Sequence, residues 1–237
     1  MGVDNLLADP ARAAVVAAAA ERLEPGMLLG LGSGRAVWAL VHVLGERWAG
    51  RHPRAVVASS ATEALAASAG FEVVELDGTV TVDVAVDGAD QLDRGLALIK
   101  GHGAALLREK LVVGAATRFL VVAERAKLAE RLGHGCLLPV EVVRFAWPDT
   151  RRRLLALVSE ATLRVGPGRA PVVTDEGHLL LDCEVPPGDL RALAAAIKAT
   201  LGVVEHGLFL DQADEAILGL PDGSVEIVSS QGDRDQR

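Results

Sequence analysis

The order of the sequence patterns predicts an α/β protein: a Rossmann-like, doubly wound, mostly parallel sheet carrying a smaller inserted α+β unit of the split βαβ, ferredoxin-like kind. Three observations lead there. Short apolar runs alternate with helical periods through the first half. The runs end in glycine-rich or acidic turns, where such sheets gather their functional groups. The second half changes rhythm to strand, helix, two strands, helix, strand.

The first half begins with a helix over Pro10–Leu23, opened by Asp9 and a proline in the first turn. Met27–Leu31 is a short strand, and Gly32-Ser33-Gly34 leads into a helix over Arg35–Trp48. Ala55–Ser59 and Thr62–Ala69 are the next strand and helix, and Glu72–Leu76 a strand edge. Val80, Val82, Val84 and Val86 alternate as a strand ending at Asp87. Gly103–Ala116 is a helix, and Phe119–Ala123 the strand after it. In the second half, Leu138–Arg144 is a strand and Asp149–Glu160 a helix. Thr162–Val165, Pro171–Thr174 and Leu179–Val185 are extended, Asp189–Leu201 is helical, and Val203–Leu210 is a strand. A hairpin at Pro221-Asp222-Gly223 returns the chain to the first sheet. The expected units are 1–133 with 207–230, 134–206, and a polar tail over 231–237.

Composition narrows the classes of function. Half of the 237 residues are hydrophobic and 24% are charged, as in an ordinary soluble globular protein. The net charge of −8 argues against nucleic acid or an anionic membrane as partner. The alanine-rich run Ala11–Ala20 contains Arg12 and has no basic region before it, so it predicts a helix of the fold, not a signal or a membrane span. Cys136 and Cys183 stand far apart, which suits reduced thiols and a cytoplasmic location. The six histidines form no HxxxH or HExxH pair, so no metal site is expected.

Four segments carry candidate chemistry. In Val86-Asp87-Gly88-Ala89-Asp90 two carboxylates stand three residues apart at a strand end; the pattern fits an acid pair or an Asx turn with a helix cap. Ile99-Lys100-Gly101-His102-Gly103 puts one of only four lysines before a glycine-rich loop that opens a helix. Its N–H groups suit an anion, or the loop is a plain connection. The following helix is apolar almost all round, and Glu109 has Ala105, Leu106, Val112 and Val113 at its i±3 and i±4 positions. A buried carboxylate there is a general base with a raised pKa, or a structural ion pair with Arg108 or Lys110. The turn Gly30–Ala36 lacks the third glycine of a dinucleotide fingerprint, and no acidic residue closes the second strand. It suits a phosphate on a helix N-terminus, with Ser59, Ser60 and Thr62 as a second hydroxyl-rich turn or an ordinary cap.

These residues resemble the type A ribose-5-phosphate isomerase family. The similar stretches are Gly30–Gly34, Ser59–Leu65, Val86–Asp90, Leu98–Lys110, Phe119–Lys127, Leu138–Val142, Val173–Asp175, Gly202–Phe209 and Pro221–Gly223, in family order across nearly the whole chain. The resemblance implies interconversion of ribose 5-phosphate and ribulose 5-phosphate through a cis-enediolate, without cofactor or metal. It implies Glu109 as the base, Asp87 as an aid to ring opening, Asp90 as its partner, and Lys100 as the cation that stabilises enediolate charge. It implies a phosphate turn over Gly32, Ser33, Gly34, Arg35 and Ala36. Further contacts are expected from Arg12, Ser60, Gly88, Ala89, Gly101, His102, Gly103 and Lys127, and a homodimer is expected.

The sequence departs from the family pattern twice. Where the family usually reads Gly-Thr-Gly-Ser-Thr, this chain has Gly32-Ser33-Gly34-Arg35-Ala36, and His102 replaces a usual glycine. Arg35 either binds phosphate bidentately or points away. His102 crowds the sugar, adds a donor or faces solvent. Both bear on the sugar more than on the reaction, and leave two competing readings. One is an isomerase or epimerase for another phosphosugar, such as arabinose 5-phosphate. The other is a non-catalytic sugar-phosphate sensor. A CoA-transferase, suggested by fold analogy, would want a glutamate in a different motif.

Overall fold

The structure, a computed structural model, describes residues 3–229. The tail expected over 231–237 lies outside the described residues. Helices α1 (Val3–Leu6) and α2 (Pro10–Ala20) open the chain. Asp9 caps α2 by accepting the N–H groups of Ala11 and Arg12. Then β1 (Leu28–Leu31), α3 (Arg35–Arg47), β2 (Arg54–Val57), α4 (Ser60–Ser68), β3 (Glu72–Val73) and β4 (Val82–Asp87) alternate. β5 (Gln91–Leu92) and β6 (Leu98–Ile99) precede α5 (Leu106–Gly114) and β7 (Ala116–Glu124). The second half holds β8 (Leu138–Val142), α6 (Trp147–Leu154), β9 (Ala161–Leu163), β10 (Leu179–Cys183), α7 (Leu190–Lys198) and β11 (Val203–His206). β12 (Leu208–Phe209), β13 (Glu215–Gly219) and β14 (Val225–Ser229) complete it.

The main sheet has seven strands in the order β14-β13-β7-β4-β1-β2-β3, parallel except for the β13–β14 hairpin. The order reverses between β1 and β4, so the crevice at the carboxyl ends of these two strands is the expected site. β7 shows why both faces are covered. Leu120 and Val122 join the core beneath α2 and α3, whereas Phe119, Val121 and Ala123 join the core on the opposite face, beneath α5. The second sheet runs β11-β8-β10-β9 and is antiparallel throughout, the strand order of a split βαβ unit. β12, β6 and β5 form a third, short sheet between the two.

Several boundaries differ from expectation. The helix expected from Gly103 starts at Leu106, because Ala104 takes φ +63° and Ala105 becomes the cap residue. α6 stops at Leu154 instead of Glu160. Pro171–Thr174 contributes only single bridges, Val165 to Pro171 and Val173 to Leu179. The single strand expected over Val203–Leu210 is two strands in two sheets, divided at Gly207. β5 and β6 were not expected, since two-residue strands carry no readable period.

Candidate active site

A cleft of about 150 Å³ opens at the carboxyl ends of β1, β4 and β7. At its base the ammonium of Lys100 stands 2.7 Å from Asp87 Oδ2 and 3.1 Å from Glu109 Oε2. Its directed hydrogen bond goes to the Gly88 carbonyl at 2.8 Å. All three side chains are buried. Asp87 Oδ2 and Glu109 Oε2 are buried with Lys100 as their cationic partner, so the ammonium holds both carboxylates at once. Asp87 Oδ1 accepts the N–H groups of Ser33 and Gly88, at 3.2 and 2.7 Å. Gly32 is required behind it, because a Cβ there would fall 1.9 Å from Asp87 Cγ.

Burial sets the acidities. It is the largest cause raising Glu109, to about 8; the neighbouring Asp87 carboxylate adds to it, and Lys100 works against both. Burial also raises Asp87, against the pull of Lys100 and the N–H donors. For Lys100 burial disfavours the charge, but the two carboxylates outweigh it and raise its pKa. The site therefore pairs a permanently charged ammonium with a carboxyl group poised to titrate near neutrality.

The opposite wall is the start of α3. Ser33, Gly34, Arg35, Ala36 and Val37 line the cleft. Gly34 caps the helix at φ +122°, a conformation other residues rarely adopt, and no side chain bonds the free N–H groups. The thirteen-residue helix thus presents its positive end to the cleft. Arg35 is exposed at this end. Behind the turn, Ser33 and Ser59 hydroxyls lie 3.1 Å apart, and Thr62 takes the Ser59 hydrogen bond and donates to the Gly32 carbonyl at 2.9 Å. Ser59 is also the N-cap of α4, so the hydroxyl-rich turn caps one helix and braces the other.

Of the expected residues, the fold brings Gly88, Ala89, Asp90, Gly101 and Gly103 to the cleft with Lys100 and Glu109. Glu109 pairs with Lys100, whereas Arg108 and Lys110 turn elsewhere. Six expected residues do not line it. Asp87 is buried beneath the lining and touches it through Lys100. Gly32 lies behind Asp87. Arg12 is buried one layer back, donating to Glu124 Oε1 at 3.0 Å and to the Leu6 carbonyl. Ser60 sits on the outer surface, where its N–H and hydroxyl both bond Asp175. Lys127 is half-buried, close enough to Cys136 for its charge to reach the thiol. His102 turns its ring away from the cleft: Nε2 donates to the Leu137 carbonyl at 3.0 Å, and Nδ1 lies 3.6 Å from Asp90. Its N–H bonds Asp90 Oδ2 at 2.9 Å, fixing that carboxylate.

Three lining residues escaped the sequence reading: Val37, Val122 and Glu124. Glu124 had a signal, because it ends the apolar run of β7 as Asp87 ends that of β4. Among the described residues, no group of three His, Cys, Asp or Glu side chains is placed to hold a metal ion, and no helix is long and apolar enough to cross a membrane.

A doubly wound sheet with a buried carboxyl–ammonium cluster facing a helix end free of any side-chain cap suits an enzyme of proton transfer on a small anion. Comparison with known proteins specifies it. The profile of ribose 5-phosphate isomerase A (phosphoriboisomerase A) matches residues 54–223. The chain is 48% identical over 217 residues to ribose-5-phosphate isomerase A of Roseiflexus castenholzii, covering 88% of this chain and 93% of that protein. It is 47% identical over 216 residues to that of Caulobacter vibrioides, covering 89% and 94%. Its fold superimposes on ribose 5-phosphate isomerase A of Methanocaldococcus jannaschii with a TM-score of 0.87 at 31% identity, covering 94% of this chain and 99% of that one. A D-ribose-5-phosphate isomerase solved in complex with phospho-erythronic acid matches equally, with a TM-score of 0.87 at 31% identity over 97% of this chain and all of the other. The chain belongs to the ribose 5-phosphate isomerase A family.

Proposed function

We propose that this chain interconverts D-ribose 5-phosphate and D-ribulose 5-phosphate by proton transfer through a cis-enediolate. The observation that carries the reading is the Lys100 ammonium held between Asp87 and Glu109 at 2.7 and 3.1 Å, across a cleft from the open end of α3. The complex of a matching isomerase with phospho-erythronic acid, a phosphorylated sugar acid, supports a ligand of this size and charge.

The phosphate binds at the turn Ser33–Ala36, on helix N–H groups and Arg35. Asp87 assists opening of the furanose ring, with Asp90 beside it. Glu109 removes the proton from C2 of the open aldose, and the electron pair moves to the C1 carbonyl to form the enediolate. Lys100 stabilises the developing oxyanion. Glu109, now protonated, returns the proton to C1, and the hydroxyl proton passes from O2 to O1 to leave the ketose. Arg12 supports Glu124 from behind the cleft. His102 acts on the sugar only by orienting Asp90.

Replacing Glu109→Gln lowers kcat by about 10²–10⁴-fold with ligand binding largely kept. Near-wild-type turnover would remove Glu109 from the role of base. A coupled assay over a panel of pentose and hexose phosphates tests the substrate. Arg35 in the cleft is the one feature favouring a different phosphosugar, and faster turnover of arabinose 5-phosphate than of ribose 5-phosphate would establish that instead. We further infer a cytoplasmic homodimer: the two cysteines are unpaired, and Phe145 and Leu201 expose apolar surface on adjoining loops that suits a second copy. Light scattering on the purified protein gives the oligomeric state.

A further inference from the structure

Every residue that lines the cleft lies at or before Glu124, so the second sheet contributes none of them. The helix that carries Glu109 is nevertheless bound to that sheet by the two charges flanking the base. Arg108 pairs with Glu176 at 2.6 Å on the exposed side. Lys110 does so on a less exposed side. Its ammonium donates to Glu205 Oε1 at 2.9 Å, the His206 carbonyl at 2.6 Å and the Leu208 carbonyl at 2.9 Å. Three N–H donors therefore meet three oxygens, all from the segment where β11 passes into β12. His206 Nδ1 lies 3.4 Å away and accepts the Leu208 N–H, so this ring nitrogen carries no proton. Lys198 shares Glu205 at 2.7 Å, so the carboxylate keeps a partner when Lys110 is removed.

The same segment reaches the site. The ring of Phe209, fully buried, has the Lys110 ammonium 4.7 Å and the Lys100 ammonium 5.5 Å from its centre. The Lys100 N–H donates to the Gly207 carbonyl at 2.9 Å. Lys110 thus ties the helix of Glu109 to the same piece of chain that bonds the backbone of Lys100.

We propose that Lys110 is a positioning residue: by fixing α5 to the β11–β12 segment it sets the separation of Glu109 and Lys100 on which proton transfer depends. The proposal rests on Glu109 being the base. Lys110→Met, assayed beside the wild type, lowers kcat by about 10- to 100-fold, the scale expected for a misplaced reacting group. KM and competitive inhibition by inorganic phosphate stay within about twofold, because the α3 turn makes no contact with Lys110. Combined with Glu109→Gln, it costs no further activity, since it acts through that base. A kcat within twofold of wild type, a KM that rises while kcat holds, or losses that multiply in the double variant would each overturn the proposal. Near-wild-type turnover by Glu109→Gln alone would instead overturn the reading of the base. Should Lys110→Met fail to fold, Glu205→Gln weakens one of the three acceptors while keeping Lys110. A two- to fivefold fall in kcat at unchanged KM is then expected on the same positioning argument, and an unchanged kcat overturns it.

Discussion

Glu109 is costly to the fold for the reason that makes it useful. Its carboxyl group ionises near 4.5 in the unfolded chain and at about 8 in the folded one. Between these values the folded state holds a proton that the unfolded state has lost, so stability falls as pH rises through this window. Asp87 is raised in the same direction. Glu109→Gln removes the penalty and leaves Lys100 its 2.7 Å contact with Asp87. The variant should therefore be more stable than wild type at pH 8, by on the order of 1 kcal/mol, with the gain vanishing toward pH 4.5. Denaturant titrations at several pH values measure this; a variant less stable at pH 8 would contradict it. The same ionisation should appear in activity, with kcat/KM falling as pH drops below about 8.

At the scale of elements, the start of α3 carries one of the two departures from the family pattern that the sequence shows. Two hydroxyls are replaced by Arg35 and Ala36, while the backbone donors and the glycine cap remain. On the proposed phosphate site, a guanidinium at the first helical position would replace the lost hydroxyls by charge. Arg35→Ala should raise KM by about tenfold with kcat little changed, the cost of one charge-assisted contact to a phosphate. Initial-rate kinetics decide it, and a fall in kcat alone would place Arg35 outside phosphate binding. The β11–β12 segment shows a different dependence. Residues Val203–Phe209 read as one strand because their apolar pattern is continuous, yet Gly207 transfers the chain from one sheet to another. That transfer brings His206, Leu208 and Phe209 up to Lys110.

Across the whole molecule, exposed polar contacts and buried apolar ones differ in magnitude. The contacts of Ser60 and Arg108 with Asp175 and Glu176 are exposed and screened by solvent. Arg108→Ala should cost no more than about 1 kcal/mol of stability. Leu120 lies fully buried in the central strand β7, against the helices on one face of the main sheet. Leu120→Ala should cost about 2–5 kcal/mol. Thermal and urea unfolding of the two variants test that ordering, and equal losses would contradict it.

The sequence by itself determined the layers, the strand ends at Gly32 and Asp87, and the motif residues Lys100 and Glu109. Those are local matters: hydrophobic period, glycine and capping chemistry act within a few residues. It also left Glu109 with two partners in sequence, Arg108 and Lys110. Only the tertiary structure decided that neither is its partner and that Lys100 is. It likewise placed Arg12, Ser60, Lys127 and His102 outside the cleft lining and brought Glu124 into it. The physical reason is common to all of these. Where a long polar side chain ends depends on which oxygens and charges the folded chain sets within about 3 Å of it. Those neighbours come from segments up to 115 residues away, beyond the reach of any local pattern.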